Sequence, residues 1–255
     1  MISLTPRSPE AEAFLDARQR TPRDVVSACD GWTAHEVTAH LTGIAAEIIR
    51  HLDPYLAGEP VPETRSFEER EAPFQAMEDA QLCRRLEVEE ERVRSLIDHV
   101  LGAQPNAVVP WTGRQMVVAK FVPHLRNEFA IHRWDIVGDD DTGAELLGQP
   151  DLTAHAVDVL GEILTRRGRQ HDPAPNEDFS VRLRAGTTRD IRLVVQQGQA
   201  RLVFAEADDH EAHVTLDPAA RTLVMWGRRP DRRGRFQSRV DQRTLARLQA
   251  LLSGY

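Results

Sequence analysis

Apolar positions in the first two thirds of the chain recur at helical spacing. Ser8 followed by Pro9 supplies an N-cap and a proline at the first helical position, opening a helix to about Arg20. Thr33 and Glu36 have the spacing of a capping box, and Val37, Leu41, Ile44, Ile48 and Leu52 follow on one face. This second helix should end before Pro54 or in the turn around Gly58. A third, strongly charged helix is predicted from about Phe67 to Leu101, with Phe74, Met77, Leu82, Leu86, Val93, Leu96 and Ile97 on its apolar side. A fourth starts after Trp111-Thr112-Gly113 and runs to about Val137, and a fifth spans roughly Asp151 to Arg166. Long helices with short connections predict an up-down bundle.

After residue 178 the period changes to two. Val181 and Leu183, then Ile191, Leu193 and Val195, then Leu202 and Phe204, then Val214 and Leu216 alternate with polar residues, as half-buried strands do. Gly186 and Gln197-Gly198-Gln199 supply turns, and helices at about 218–226 and 241–252 complete the set. The fold class this predicts is α+β, a helical bundle followed by a small domain with an antiparallel sheet. The polar stretch RQHDPAPNED, with two prolines, reads as a linker. The predicted domains are therefore 1–168 and 178–255, joined by 169–177.

Composition narrows the class. Of 255 residues, 41% are hydrophobic and 28% charged, the balance of a soluble globular protein. A net charge of −8 argues against a nucleic-acid partner, which needs a basic footprint. No run approaches the ~18 apolar residues of a membrane span, and the first twenty residues hold no apolar signal core. Cys29 and Cys83 stand apart without a C-x-x-C, so neither a disulfide framework nor a cysteine-ligated zinc is expected. These features predict a cytoplasmic protein without a membrane partner. The basic residues are 31 arginines and the single Lys120, the bias of a high-GC genome.

Histidines carry the candidate chemistry. On the fourth predicted helix His124, Glu128 and His132 are spaced by four and project from nearly one face. A Glu/His pair at this spacing can grip one metal ion, but His124 and His132, about 12 Å apart along the axis, cannot share one. Spacing alone does not select the pair. Glu36/His40, Glu47/His51, Glu128/His132 and Glu206/His210 all have it, against about one such pair expected by chance.

Helical phase separates them. Val117, Val118, Phe121 and Leu125 form an apolar arc that contains Glu128 and His132, with Lys120, Arg126 and Asn127 opposite. Ionisable groups in a core-facing stripe are costly unless paired or metal-bound, which leaves a buried Glu–His hydrogen bond or a metal site. His40, at the edge of the arc formed by Val37, Ile44 and Ile48, is the best-placed third ligand. Glu36 is committed to its capping box, and His51, near the helix end, reads as a solvated or capping histidine. Trp32, Trp111 and Trp134 read as packing residues, Asp139-Asp140-Asp141 as a solvated loop, and Arg228 to Arg235 as a turn with solvated arginines. There is no G-x-S-x-G, P-loop or G-x-G-x-x-G motif.

The segment Gly31-Trp32-Thr33-x-x-Glu36-Val37-x-x-His40-Leu41 resembles one signature of the mycothiol-dependent maleylpyruvate isomerase family, whose relatives include DinB-like metal-dependent thiol transferases. Asn127-Glu128-Phe129-Ala130-Ile131-His132-Arg133-Trp134-Asp135 resembles a second, and Trp226-Gly227-Arg228 its small C-terminal domain. The resemblance implies a DinB-like bundle in which His40, Glu128 and His132 hold a divalent metal, usually zinc, with mycothiol as thiol cofactor or co-substrate in an actinobacterial host.

The implied chemistry is attack of a metal-activated thiolate on an electrophilic small molecule. Retention of the adduct gives S-transfer, and loss of the thiol after bond rotation gives cis–trans isomerisation. His124 then becomes a candidate acid/base group, and Glu47 and His51 candidate substrate contacts. Two other readings compete: a metal hydrolase using a bound water, and a non-catalytic module with a structural metal.

Overall fold

The structure, a computed structural model, describes residues 5–29, 31–186, 188–206, 213–230 and 234–253. The chain divides into two compact units, Met1–Val137 and Gly138–Tyr255. Its class is the expected α+β.

The first unit runs α1 (Pro9–Arg20), α2 (Ala34–Ala57), α3 (Phe67–Gln75), α4 (Asp79–Ala103), a hairpin of β1 (Val108–Trp111) and β2 (Arg114–Val117), and α5 (Phe121–Val137). Ser8 caps α1 by accepting from the Ala11 amide. The Thr33/Glu36 capping box opens α2, which passes through Pro54 and ends at Gly58, in the left-handed region at φ 70°. The apolar face of α2 packs as its spacing predicts: Val37 and Leu41 join Phe14 of α1, Leu86 of α4 and Phe129 of α5 in one buried cluster.

Two features differ from the sequence expectation. The charged helix over 67–101 is two helices, broken at Ala76–Glu78. Neighbouring helices claim the polar groups at the break: the His35 ring lies 3.2 Å from the Gln75 carbonyl and 2.9 Å from Asp79 Oδ1, and Arg18 pairs with the same carboxylate. The fourth helix starts later than expected, because 114–117 pairs with 108–111 in antiparallel register and 118–120 forms a 3₁₀ turn. The hairpin turns on Thr112 and Gly113 at φ 49° and 78°, both left-handed as a tight two-residue turn requires. The Thr112 amide, in this conformation unfavourable for a branched residue, donates to Thr64 Oγ1 at 2.9 Å.

In the second unit α6 (Asp141–Leu147) precedes α7 (Pro150–His155), which continues through a π turn at Ala156–Leu160 into α8 (Gly161–Gly168). The strands β3 (Phe179–Ala185), β4 (Ile191–Gln196), β5 (Gln199–Phe204), β6 (His213–Leu216) and β7 (Phe236–Ser238) form a sheet in the order β5-β4-β3-β6-β7. It is antiparallel except for the parallel β3/β6 pair. The alternation read from the sequence is the buried face: Val181, Leu183, Ile191, Leu193, Leu202 and Val214 form one core with Ala156 and with Leu248 and Leu251 of α10 (Gln242–Leu251). Beyond β6, α9 (Pro218–Met225) is capped by Asp217.

This packing moves the domain boundary from the expected 168/178 to 137/138. The helix over 150–168 lies on the sheet so closely that a Cβ at Gly161 would stand 3.0 Å from Leu202 Cβ. The expected linker is anchored inside the second unit, where the buried Asp172 carboxylate accepts from Arg247 at 2.9 and 3.2 Å. Nor is Asp139–Asp141 a solvated loop: Asp140 caps α6 through the Gly143 amide, and Asp139 pairs with Arg235. The arginine-rich turn is likewise structural at its ends. Arg228 is buried and donates to the Trp226 carbonyl, and Arg235 grips Asp217 at 2.6 and 3.0 Å. Residues 231–233 of that turn, and His210 of the fourth Glu/His pair, lie outside the described residues. No described helix is long and apolar enough to cross a membrane.

Candidate metal centre

His40 on α2 and Glu128 and His132 on α5 are buried, and one ligand atom of each lies within 4.8 Å of the others. His40 Nε2 stands 3.5 Å and His132 Nε2 3.4 Å from Glu128 Oε2. The opposite nitrogens are held by carboxylates. His40 Nδ1 meets Glu71 Oε1 at 2.6 Å, and His132 Nδ1 meets Asp135 Oδ2 at 2.8 Å. An ionised carboxylate only accepts, so each Nδ1 carries the proton, and in the neutral ring each Nε2 turns a lone pair toward Glu128.

Neither Nε2 makes a hydrogen bond. A buried Glu–His hydrogen bond, the competing explanation of these residues, would need an Nε2–H in good geometry with the carboxylate. Two imidazole lone pairs and a carboxylate oxygen, each imidazole backed by a carboxylate, instead fit a divalent cation. The electrostatics agree. Burial works against ionisation of Glu128, but His132 and His40, then the charge of His124, outweigh it and hold the carboxyl well below its usual range. Burial also disfavours a charged His132, yet Asp135 and Glu128 raise its pKa. This is a locus that favours positive charge.

Local packing sets the geometry. At Gly43 of α2 a Cβ would stand 3.2 Å from Glu71 Cγ and 3.3 Å from the Arg70 carbonyl oxygen, so the bare glycine lets α3 lie close enough for Glu71 to reach His40. The Ala28 amide donates to the Asp135 carbonyl at 2.7 Å, tying the loop before α2 to the end of α5. Trp32, on that loop, packs 4.9 Å from the His40 ring and stacks at 6.2 Å on His132, while Phe67 stacks at 5.8 Å on His40. All three expected packing roles hold for buried or half-buried tryptophans, and Trp111 lies edge-on to both His51 and His124.

His124 joins the group's edge, buried with Nε2 3.7 Å from Glu128 Oε1, and burial lowers its pKa. Glu47 and His51 contribute no atom to the converging set. The Glu47 carboxylate accepts from Arg50 at 2.7 Å and from the Arg65 amide and Nε at 2.8 Å; burial opposes its ionisation, but the arginines win and bring the pKa to about 2. His51 is buried rather than solvated, its Nδ1–H donating to the Glu47 carbonyl at 2.7 Å, and burial lowers its pKa.

The helical phase of α5 also needs correction. Val117 is an exposed strand residue, and Asn127, expected on the solvated side, is fully buried with Nδ2 donating to the Pro123 carbonyl. Glu128 and His132 belong to the buried face, but that face runs through Ile131 and Asp135 rather than Val117. Asp135, one turn after His132, could have been found by its i+3 spacing. Glu71, from another helix, leaves no such trace.

A sequence profile of the mycothiol maleylpyruvate isomerase N-terminal domain matches residues 9–137. Among solved structures, the crystal structure of the mycothiol-dependent maleylpyruvate isomerase is similar at 15% identity and a TM-score of 0.58, over 87% of this chain and 86% of that one. A histidine-to-alanine mutant of the mycothiol-dependent maleylpyruvate isomerase is similar at 13% identity and a TM-score of 0.55, over 86% and 85%. At these identities the likeness speaks for the fold. No curated protein sequence gives a significant match. The profile covers about half of the chain and contains every residue of the buried group, so the chain belongs to the mycothiol maleylpyruvate isomerase family.

Proposed function

We propose that the protein is a divalent-metal-dependent enzyme that presents a low-molecular-weight thiol, mycothiol, to an electrophilic small molecule. The supporting observation is the pair of buried Nε2 atoms that face Glu128 without a hydrogen bond, each on an imidazole whose Nδ1 a carboxylate holds. His40, Glu128 and His132 would hold the ion, and zinc suits two imidazoles and a carboxylate with a position left open. When bound, the cation supplies the positive charge that keeps an adjacent sulfur in its thiolate form at neutral pH.

The chain's own residues do the rest. Glu71 and Asp135 fix the tautomer and the ring orientation of the two histidines. Trp32 and Phe67 wall the His40 ring with apolar surface that excludes water. His124, 3.7 Å from Glu128 Oε1, is the proton-handling group of this reading. Glu47 serves the substrate side by holding Arg50 and Arg65, and His51 by backing Trp111.

With maleylpyruvate as electrophile, thiol addition, rotation about the former double bond and thiol expulsion give isomerisation; a retained adduct gives S-transfer. Metal content by mass spectrometry, on protein purified without a metal-binding tag, tests the site. About one divalent ion per chain is expected in the wild type and none in His132→Ala. A wild type that takes up no zinc overturns the proposal. The thiol balance then separates the two reactions: isomerisation leaves the thiol concentration constant, and S-transfer consumes one thiol per product.

A further inference from the structure

Arg70 on α3 is 4% exposed, and its Nε has no hydrogen-bond partner. The carboxylate within ion-pair range, Glu71, presents Oε1 at 3.8 Å, and that oxygen already binds His40 Nδ1 at 2.6 Å. Three other arginines packed around α2 are engaged by acceptors. Arg18 bonds Thr38, the Thr21 carbonyl and Asp79, while Arg50 and Arg65 converge on Glu47.

The guanidinium is nevertheless held in place. Its carbon lies 4.1 Å over the Phe67 ring, which in turn stacks on His40. Arg70 is therefore held beside the metal centre through Phe67. A buried guanidinium whose nearby carboxylate is 3.8 Å away and shared with a histidine is costly, and its planar fork matches a carboxylate in bidentate fashion.

We infer that Arg70 is the anion-binding residue of this site, receiving a carboxylate of the electrophilic substrate and selecting carboxylate-bearing electrophiles over neutral ones. The inference rests on the proposed function for the presence of an electrophile, but the anion binding itself does not require the metal.

Calorimetric titration with maleate and with dimethyl maleate tests it, on zinc-loaded and chelated wild type, Arg70→Gln and Arg70→Lys. Maleate is expected to bind the wild type about thirty-fold or more tightly than the diester does, and Arg70→Gln to lose that factor. Arg70→Lys should recover part of it, as a point charge without the fork. Metal content should stay at the wild-type level in both variants.

Equal binding of diacid and diester, or maleate affinity unchanged in Arg70→Gln, would overturn the inference. So would maleate binding that requires zinc and is indifferent to Arg70, since the ion would then be the anion's partner. If Arg70→Gln does not fold, Arg70→Lys carries the comparison: a maleate affinity in the chelated protein equal to that of the wild type would overturn the inference. A chain that takes up no zinc yet binds maleate through Arg70 would overturn the metal-dependent function and leave this inference standing.

Discussion

The two units bury charge in different ways. In the second, the buried cations are Arg182, Arg221, Arg228 and Arg247, each tied to a structural acceptor. Arg182 holds Asp190 and the Glu206 carbonyl, Arg221 the Arg189 carbonyl, Arg228 the Trp226 carbonyl and Arg247 the Asp172 carboxylate. These bonds staple loops to a sheet whose core is otherwise apolar. In the first unit His40, Glu128 and His132 converge between α2 and α5, and the Nε2 atoms of both histidines make no hydrogen bond. Among the described residues, His40, Glu128 and His132 form the group with metal-ligand geometry. Buried charge alone does not mark a site; converging lone pairs that no protein donor satisfies do.

The sharpest way to break this contrast is to damage each unit separately. His132→Ala should abolish metal binding, whereas Asp172→Ala should leave the metal content intact. The latter removes the buried counter-charge of Arg247 in the second unit, leaving it backbone carbonyls alone as acceptors, and should cost about 3 kcal/mol of stability, read as a lowered urea midpoint. Loss of metal in Asp172→Ala would show that the units do not divide these roles. A smaller effect is expected behind the ligands. Glu71→Gln keeps a hydrogen-bond partner for His40 Nδ1 but removes its charge, and zinc affinity, measured by competition with a chelator, should fall by about ten- to a hundred-fold. An unchanged affinity would mean that Glu71 is only a packing residue.

The smallest effect is the most diagnostic. Gly43→Ala adds a methyl where 3.2 and 3.3 Å are available, so α3 must give by a few tenths of an ångström. The alanine also favours the helix by up to about 1 kcal/mol. Thermal stability should therefore stay level or rise while zinc affinity drops a few-fold. If both move together, the site depends on the stability of the bundle and not on the spacing of its helices.

Local rules made much of this legible. The Thr33/Glu36 capping box, the strand alternation over 181–216 and the turn at Gln197-Gly198 are where their residue chemistry puts them, the last with both residues at positive φ. Glu128 and His132 stood out because ionisable residues on a buried face demand an explanation. What stayed hidden depended on partners distant in sequence. The break before Asp79 exists because His35 and Arg18 bind its ends. The boundary at 137/138 exists because α8 lies on the sheet, a preference that its own sequence does not announce. Glu71 meets His40 across 31 residues, and no periodicity links them.

Gly43 contributes no charge, no hydrogen-bonding side chain and no apolar surface. A saturation survey scored on chemistry would nonetheless flag it beside the metal ligands, because what the site needs there is an absence of atoms. Drift at such a position would leave every ligand in the sequence intact while the site lost its tuning. A relative that kept all three ligands but carried a larger residue at this point would be a natural record of that loss.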